Sequence, residues 1–231
     1  MINVNNLSKS YAGKVVVDIP QLQINTGEMI GLVGNNGAGK TTFFRLLLDL
    51  IKADKGSLFS KEYNIALSEN WKKYTAAYLD EGFLIDYLTP EEYFYFVGKL
   101  NNCSKADVDE ILTGFEAFFD GAILNSGKYI RELSKGNQFK VGIAACLLQK
   151  PEILILDEPF ANLDPTTQMR LIKMLRDMSE KTRMTILISS HDLNHVTDVS
   201  SRILLMEKGL IIKDISTNKD TLQELEEYFK V

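Results

Sequence analysis

The stretch Met29-Ile30-Gly31-Leu32-Val33-Gly34-Asn35-Asn36-Gly37-Ala38-Gly39-Lys40-Thr41-Thr42 decides the fold. Its first five residues form a nearly all-apolar run, as expected of a strand covered on both faces. The next eight, Gly34 to Thr41, satisfy the phosphate-loop pattern G-x-x-x-x-G-K-[ST]. After them, Thr42 to Ile51 reads as a buried helix. Strand, glycine-rich loop and helix in that order open an α/β nucleotide-binding fold. Glycines let backbone N–H groups close around phosphate oxygens, Lys40 reaches the β and γ phosphates, and the Thr41 hydroxyl ligates magnesium. Gly34, Asn35, Asn36, Gly37, Ala38, Gly39, Lys40, Thr41 and Thr42 are therefore the expected nucleotide contacts. A glycine-rich turn without a ligand is the plain alternative, and the flanking strand and helix weigh against it.

Upstream, Val15-Val16-Val17 and the alternating Leu22-Gln23-Ile24 read as short strands broken by turns. From about Leu84 to Gln149 the strand signal disappears, and Pro90 to Leu100, Lys105 to Phe119 and Lys135 to Leu148 look helical. This is a helical insertion in an α/β chain. Alternation resumes with Ile153-Leu154-Ile155-Leu156, a helix from Pro165 to Lys181, the strand Thr185 to Ser189, a helix near Leu193 to Val199, and Ile203-Leu204-Leu205-Met206. The charged segment Lys219 to Val231 looks like a surface helix, and residues 1–231 are expected to form one domain.

Composition narrows the function. The chain of 231 residues carries a formal charge of −5, which repels a phosphate backbone, so dedicated nucleic-acid binding has no electrostatic support. Cys103 and Cys146 make neither a disulfide framework nor a metal-ligand spacing and suit a reducing compartment. No stretch approaches the roughly 18 apolar residues of a membrane helix. The N-terminus lacks the features of a secretory signal, so contact with a membrane is expected to run through a partner chain.

The second chemical motif is the apolar run Ile153 to Leu156 ending in Asp157-Glu158. Asp157 is placed to hold magnesium through water, as the second metal anchor does in phosphate-loop enzymes. Glu158 is the better candidate for polarising the attacking water, a role worth roughly 10²–10⁴ in rate. By itself the pair is as readily a solvated acidic turn; beside Lys40 that alternative weakens.

Leu133-Ser134-Lys135-Gly136-Asn137-Gln138, upstream of Asp157, resembles the signature motif of ABC ATPases. The resemblance implies an α/β phosphate-loop ABC ATPase core with an N-terminal antiparallel β subdomain and an inserted α-helical subdomain. It implies Mg-dependent ATP hydrolysis, with Ser134 and Gly136 of one chain capping the γ-phosphate held by the phosphate loop of a second. That role is physically sound, because both would open a helix whose free N–H groups and dipole attract phosphate; a ligand-free N-cap is the bland reading. Further elements follow in order. Tyr11 matches the aromatic that stacks on adenine, Ala161-Asn162-Leu163-Asp164 the loop that meets the opposite subunit, and His191 the switch histidine at the γ-phosphate. His195 has no such support and reads as structural.

Two positions depart from the family pattern. Lys135 and Asn137 replace a glycine and a glutamine of the signature, and lysine there is similar to some exporters of drugs, lipids or polysaccharides. In Tyr78-Leu79-Asp80-Glu81-Gly82, Glu81, or less readily Asp80, stands where a glutamine normally senses the γ-phosphate and magnesium, and a carboxylate can still bind that ion. Phe83, Tyr87, Tyr93, Phe94, Tyr95 and Phe96 crowd one stretch, either as an anchor for a helix of a membrane subunit or as an aromatic core.

The resemblance thus implies the ATPase subunit of a membrane transporter, an exporter by its signature. It would be dimeric with itself or a similar chain, and bound at the cytoplasmic face through a separate membrane-spanning permease. The rival is a soluble ABC ATPase acting on ribosomes or DNA; such proteins usually carry tandem ATPase halves or a long coiled-coil insertion, and neither is found in this sequence.

Overall fold

The computed structural model describes residues 1–79, 81–161 and 163–229, together with the backbone but not the side chain of Glu81. The N-terminal part is a small antiparallel sheet. Strands β1 (Ile2–Tyr11) and β2 (Lys14–Ile24) form a hairpin closed by Ala12 and Gly13, both at positive φ, the backbone such two-residue turns demand. β2 is one continuous strand, so the two short strands expected at Val15–Val17 and Leu22–Ile24 are parts of a single ladder whose partner β1 supplies the missing hydrogen bonds.

The second sheet holds the site. β3 (Met29–Val33) runs into the glycine-rich loop and α1 (Lys40–Leu47), followed by β4 (Lys55–Ser60) and β5 (Tyr63–Asn64), which complete the first sheet in the order β2-β1-β4-β5. α1 begins at Lys40, two residues before the expected start, and closes at Leu47 rather than Ile51. Gly39 caps its start in the left-handed region (φ 110°), and Asp49 at φ 50° turns the chain out of the helix. A side chain at Gly39 would also strike the Val16 carbonyl, 2.4 Å from an added Cβ. That position is therefore closed to every other residue.

β6 (Thr75–Tyr78) leads into the helical insertion: α2 (Pro90–Leu100), α3 (Lys105–Thr113), α4 (Glu116–Phe119) and α5 (Lys135–Leu148). α2 and α3 open on capping boxes, Thr89 with Glu92 and Ser104 with Asp107. The single helix expected over Lys105–Phe119 is broken at Gly114, which caps α3. The break turns Phe115 and Phe119 inward to stack at 5.8 Å, with Phe94 of α2 5.9 Å from Phe119 on its other side. α5 presses on β6 at Gly142, where an added Cβ would lie 2.0 Å from the Tyr78 ring.

β7 (Ile153–Asp157), α6 (Pro165–Thr182), β8 (Thr185–Ser190), α7 (Leu193–Val199), β9 (Arg202–Glu207), β10 (Leu210–Ser216) and α8 (Thr221–Phe229) complete the chain. The sheet order is β10-β9-β3-β8-β7-β6, parallel except for the β9–β10 hairpin. Both faces are covered, and the period of two sorts them. Ile153 and Ile155 join the core under the N-terminal sheet and α1, while Leu154 and Leu156 join the core under the helices. Arg202 locks the far end, gripping Asp214 with two bonds of 2.6 Å and reaching Glu28 at 3.0 Å and the Gln23 carbonyl at 2.9 Å.

Candidate functional site

The carboxyl ends of β3, β7 and β8 lie side by side, where doubly wound sheets hold their ligands. The loop Gly34–Gly39 leaves β3 there. Asn35, Asn36 and Gly37 are exposed at its crest, while Ala38, Gly39 and Lys40 are buried at its base. Lys40, only 6% exposed, donates to the carbonyls of Gly34 at 2.6 Å and Asn35 at 3.4 Å, and its Nζ lies 3.6 Å from Glu158 Oε1. The loop thus curls back under the ammonium of Lys40, the first residue of α1.

Next to Lys40, the Thr41 hydroxyl donates to Asp157 Oδ2 at 2.6 Å. The other carboxylate oxygen of Asp157 accepts from Ser189 Oγ, and Ser189 Oγ itself accepts the Glu158 amide at 2.9 Å. Glu158 sits at φ 50°, a left-handed conformation that costs a non-glycine residue roughly 1–2 kcal/mol. Its amide bonds to Ser189 oppose that strain, and the turn swings its carboxylate away from Asp157 toward Lys40 and His191. His191 meets Glu158 Oε2 twice, through Nδ1 at 2.8 Å and through its amide at 3.3 Å. The two carboxylates, adjacent in sequence, therefore face different partners.

Thr41 and Asp157 suit the ion expected there. A carboxylate and a hydroxyl are hard oxygen donors, and magnesium is commonly held by one or two such groups with the substrate phosphates filling the remaining positions. Among the described residues no cluster of three or more His, Cys, Asp or Glu side chains is placed to hold an ion unaided. The donor set of Thr41 and Asp157 fits a metal that arrives with its nucleotide.

Tyr11 closes β1 half-exposed beside the hairpin turn, and Thr42 follows Thr41 in the first turn of α1. Ser134 caps α5, its hydroxyl accepting the Asn137 amide at 3.3 Å, with Lys135 exposed and Gly136 half-buried in the first turn. This motif stands on the helical insertion. Asp164 caps α6 by accepting from Thr167 at 2.6 and 3.0 Å, and those bonds hold its carboxyl below the ordinary value of 3.8. Glu81's side chain, Asp80 and Asn162 lie outside the described residues. Of the aromatic run, Phe94 is fully buried and Tyr93 and Tyr95 half-buried, so the exposed anchors reduce to Phe83, Tyr87 and Phe96. Arg131 stacks over the rings of Tyr87 and Tyr129 at 5.0 and 5.2 Å.

Two contributors went unread in the sequence. Ser189 ties Asp157 and Glu158 together; its only signal was a hydroxyl ending an apolar strand. Tyr228 and Phe229 of α8 line a cleft of about 540 Å³ with Asn35–Ala38 and the β9–β10 turn, and no motif marks them.

A strand, a glycine loop returning a lysine on itself, and a Thr–Asp pair beside a separately aimed glutamate define a phosphate-loop nucleotide hydrolase. The comparisons specify which. The family model described as ABC transporter matches residues 17–161, and one described as AAA domain, putative AbiEii toxin, matches residues 127–197. An uncharacterised ABC transporter ATP-binding protein of Bacillus subtilis is 34% identical over 90% of this chain and 69% of its own length. A bacitracin transport ATP-binding protein of Enterococcus faecalis is 31% identical (95% and 70%), and a zinc import ATP-binding protein of Ehrlichia ruminantium 30% identical (91% and 81%). A solved ATP-binding subunit of an ABC transporter superposes with a TM-score of 0.84 at 25% identity, covering 98% of this chain and 93% of that one. The chain belongs to the ABC transporter family, as an ATP-binding, ATP-hydrolysing subunit. No helix among the described residues is long and apolar enough to cross a membrane.

Proposed function

We propose that this chain drives an exporter by closing on Mg-ATP as one half of a head-to-tail dimer and opening after hydrolysis, with a copy of itself or a similar chain as the other half. The observation that carries the reading is the convergence of Lys40, Thr41, Asp157, Glu158 and His191 at the ends of three adjacent strands. The loop amides of residues 34–41 and Lys40 take the phosphates, Thr42 supports them, and Tyr11 stacks on the base. Thr41 and Asp157 would hold magnesium, with Glu81 as a third candidate, and the bound ion would supply neutralisation of the nucleotide's phosphate charge. Glu158, steadied by His191, accepts a proton from the water that attacks the γ-phosphorus, and Lys40 stabilises the charge displaced toward the leaving ADP.

Ser134 and Gly136 of the partner copy cap the γ-phosphate, so its departure removes the contact that holds the two copies together. That opening is the mechanical output. A membrane-spanning permease on a separate chain receives it at the cytoplasmic face, through the exposed Phe83, Ile85 and Tyr87 beside Arg131. Export is the direction assigned, from Lys135 in the signature; cargo uptake, as the name of the zinc-import relative describes, would reverse that assignment.

Glu158→Gln tests the scheme. The variant should bind ATP as the wild type does while turnover falls at least about 100-fold; undiminished turnover would remove Glu158 as the base. Loaded with ATP and magnesium and drawn from solubilised membranes, it should bring down a polytopic membrane protein in stoichiometric amount. Recovery of ribosomes or DNA instead would establish the soluble-machine reading.

A further inference from the structure

The insertion and the ATPase core do not close completely where α4 meets α6. Arg170 on α6 spans the gap, donating to the Ala117 carbonyl at 2.9 Å and pairing with Asp120 at 3.1 Å. Beside this strut runs an open groove of about 580 Å³, within the ~300–1,000 Å³ of ordinary small-molecule sites. Its floor is Phe115, Phe118 and Leu147, and its α6 wall is Met174 and Met178, thioether chains that adapt to an apolar guest.

Charge is confined to the rim. Lys150, Lys173 and Lys181, all exposed, line it against a single acid, Asp177, while Arg170 is engaged with Asp120. In a chain with a formal charge of −5 this is a local inversion of sign. An apolar floor under a cationic lip matches a molecule with an alkyl body and one anionic end. The volume suits a single chain, whereas an amphipathic peptide helix, about 10 Å across, spreads its contacts along a longer face.

We propose that this groove binds one free long-chain carboxylate, its alkyl chain along Phe115 and Phe118 and its carboxylate among Lys150, Lys173 and Lys181. One wall belongs to the insertion. The other is α6, whose cap Asp164 ends the loop that follows Glu158. An occupant therefore fixes the spacing between the body that carries Ser134 and the body that carries Glu158, which makes the groove a site for regulation of the ATPase by a lipid-derived acid.

The test is titration of the full chain, without nucleotide, with cis-parinarate, a fluorescent long-chain polyene carboxylate, below its micelle concentration. Saturation at one probe per chain is expected, with displacement by tetradecanoate and at least tenfold weaker displacement by tetradecanol. Lys173→Glu/Lys181→Glu should weaken the probe at least tenfold. Ala117→Trp, at an exposed position in the groove, should abolish its binding. Thermal melting keeps the comparison to variants that fold as the wild type does. Non-saturating uptake, unchanged affinity in the folded charge-reversal variant, or binding only to phosphatidylglycerol vesicles or to an acidic amphipathic peptide would overturn the proposal. None of these readouts involves ATP, so failure here leaves the ATPase reading untouched.

Discussion

Gly142→Ala should destabilise the protein although alanine is the better helix former. The added Cβ would lie 2.0 Å from Tyr78 Cε2, 2.4 Å from Cδ2 and 2.8 Å from Cζ, on a ring that is itself buried and packed edge-on against Phe139 at 5.0 Å. A flexible side chain would yield; this ring is enclosed by β6, α5 and its aromatic neighbour, so the helix must retreat. Overpacking of this severity costs about 3 kcal/mol, and the gain in helix propensity returns about 1 kcal/mol. The net loss of about 2 kcal/mol lowers the midpoint of thermal unfolding by roughly 4–8 °C for a chain of this size. Circular dichroism melts of the variant and of Gly142→Ala/Tyr78→Leu check the cause, because leucine removes the outer ring atoms. The double variant should recover part of the loss, with a coupling of about 1–2 kcal/mol. A melting point equal to or above that of the wild type in Gly142→Ala would mean that the α5–β6 contact is not as close as described.

Two further outcomes follow from the titrating groups. Cys146 is fully buried with its thiol against the Ala77 carbonyl, and burial pushes its pKa up to about 12. Native protein should therefore react with a thiol reagent at the half-buried Cys103 only, the second thiol appearing on denaturation; equal rates at both would contradict the packing of α5. The Asp164 carboxyl is held below 3.8 by its bonds from Thr167, so its contribution to capping α6 is fully present above that pH and fades as pH falls through the lower folded value. Asp164→Asn should flatten the acid limb of the stability–pH curve, and an unaltered limb would show that the cap does not titrate there.

The core strands and the helices of the insertion were legible because their signals are local. β3, β7, β8 and β9 are continuous apolar runs, α2 carries Pro90 and its capping box, and α5 and α7 end where the pattern ends. The strands that were not read have a physical excuse. In β1 the alternation Ile2, Val4 breaks at Asn6, whose φ of 46° shifts the next inward residue to Leu7. β10 has no fully buried residue, and β6 is four residues with two alanines. The Lys105–Phe119 segment hid its break because its apolar residues Val108, Ile111, Leu112, Phe115, Phe118 and Phe119 keep helical spacing across Gly114.

In the site, motif spacing named Lys40, Thr41, Asp157 and Glu158, and the fold brings them together. Spacing carried no sign that Glu158 turns left-handed or that Ser189 stands behind both carboxylates. Those depend on β8 lying beside β7, a contact between residues about thirty positions apart.

The cluster of Thr41, Asp157 and Ser189 joins segments that are synthesised far apart in time. A ribosome delivers Thr41 long before Asp157 and Ser189, and the helical insertion is made between them. The hydrogen-bonded cluster therefore does not exist on an emerging chain until β8 has left the exit tunnel and paired between β3 and β7. With the nucleotide's metal held there, as proposed above, ATP would stabilise chains whose central sheet is finished more than chains that lack β8.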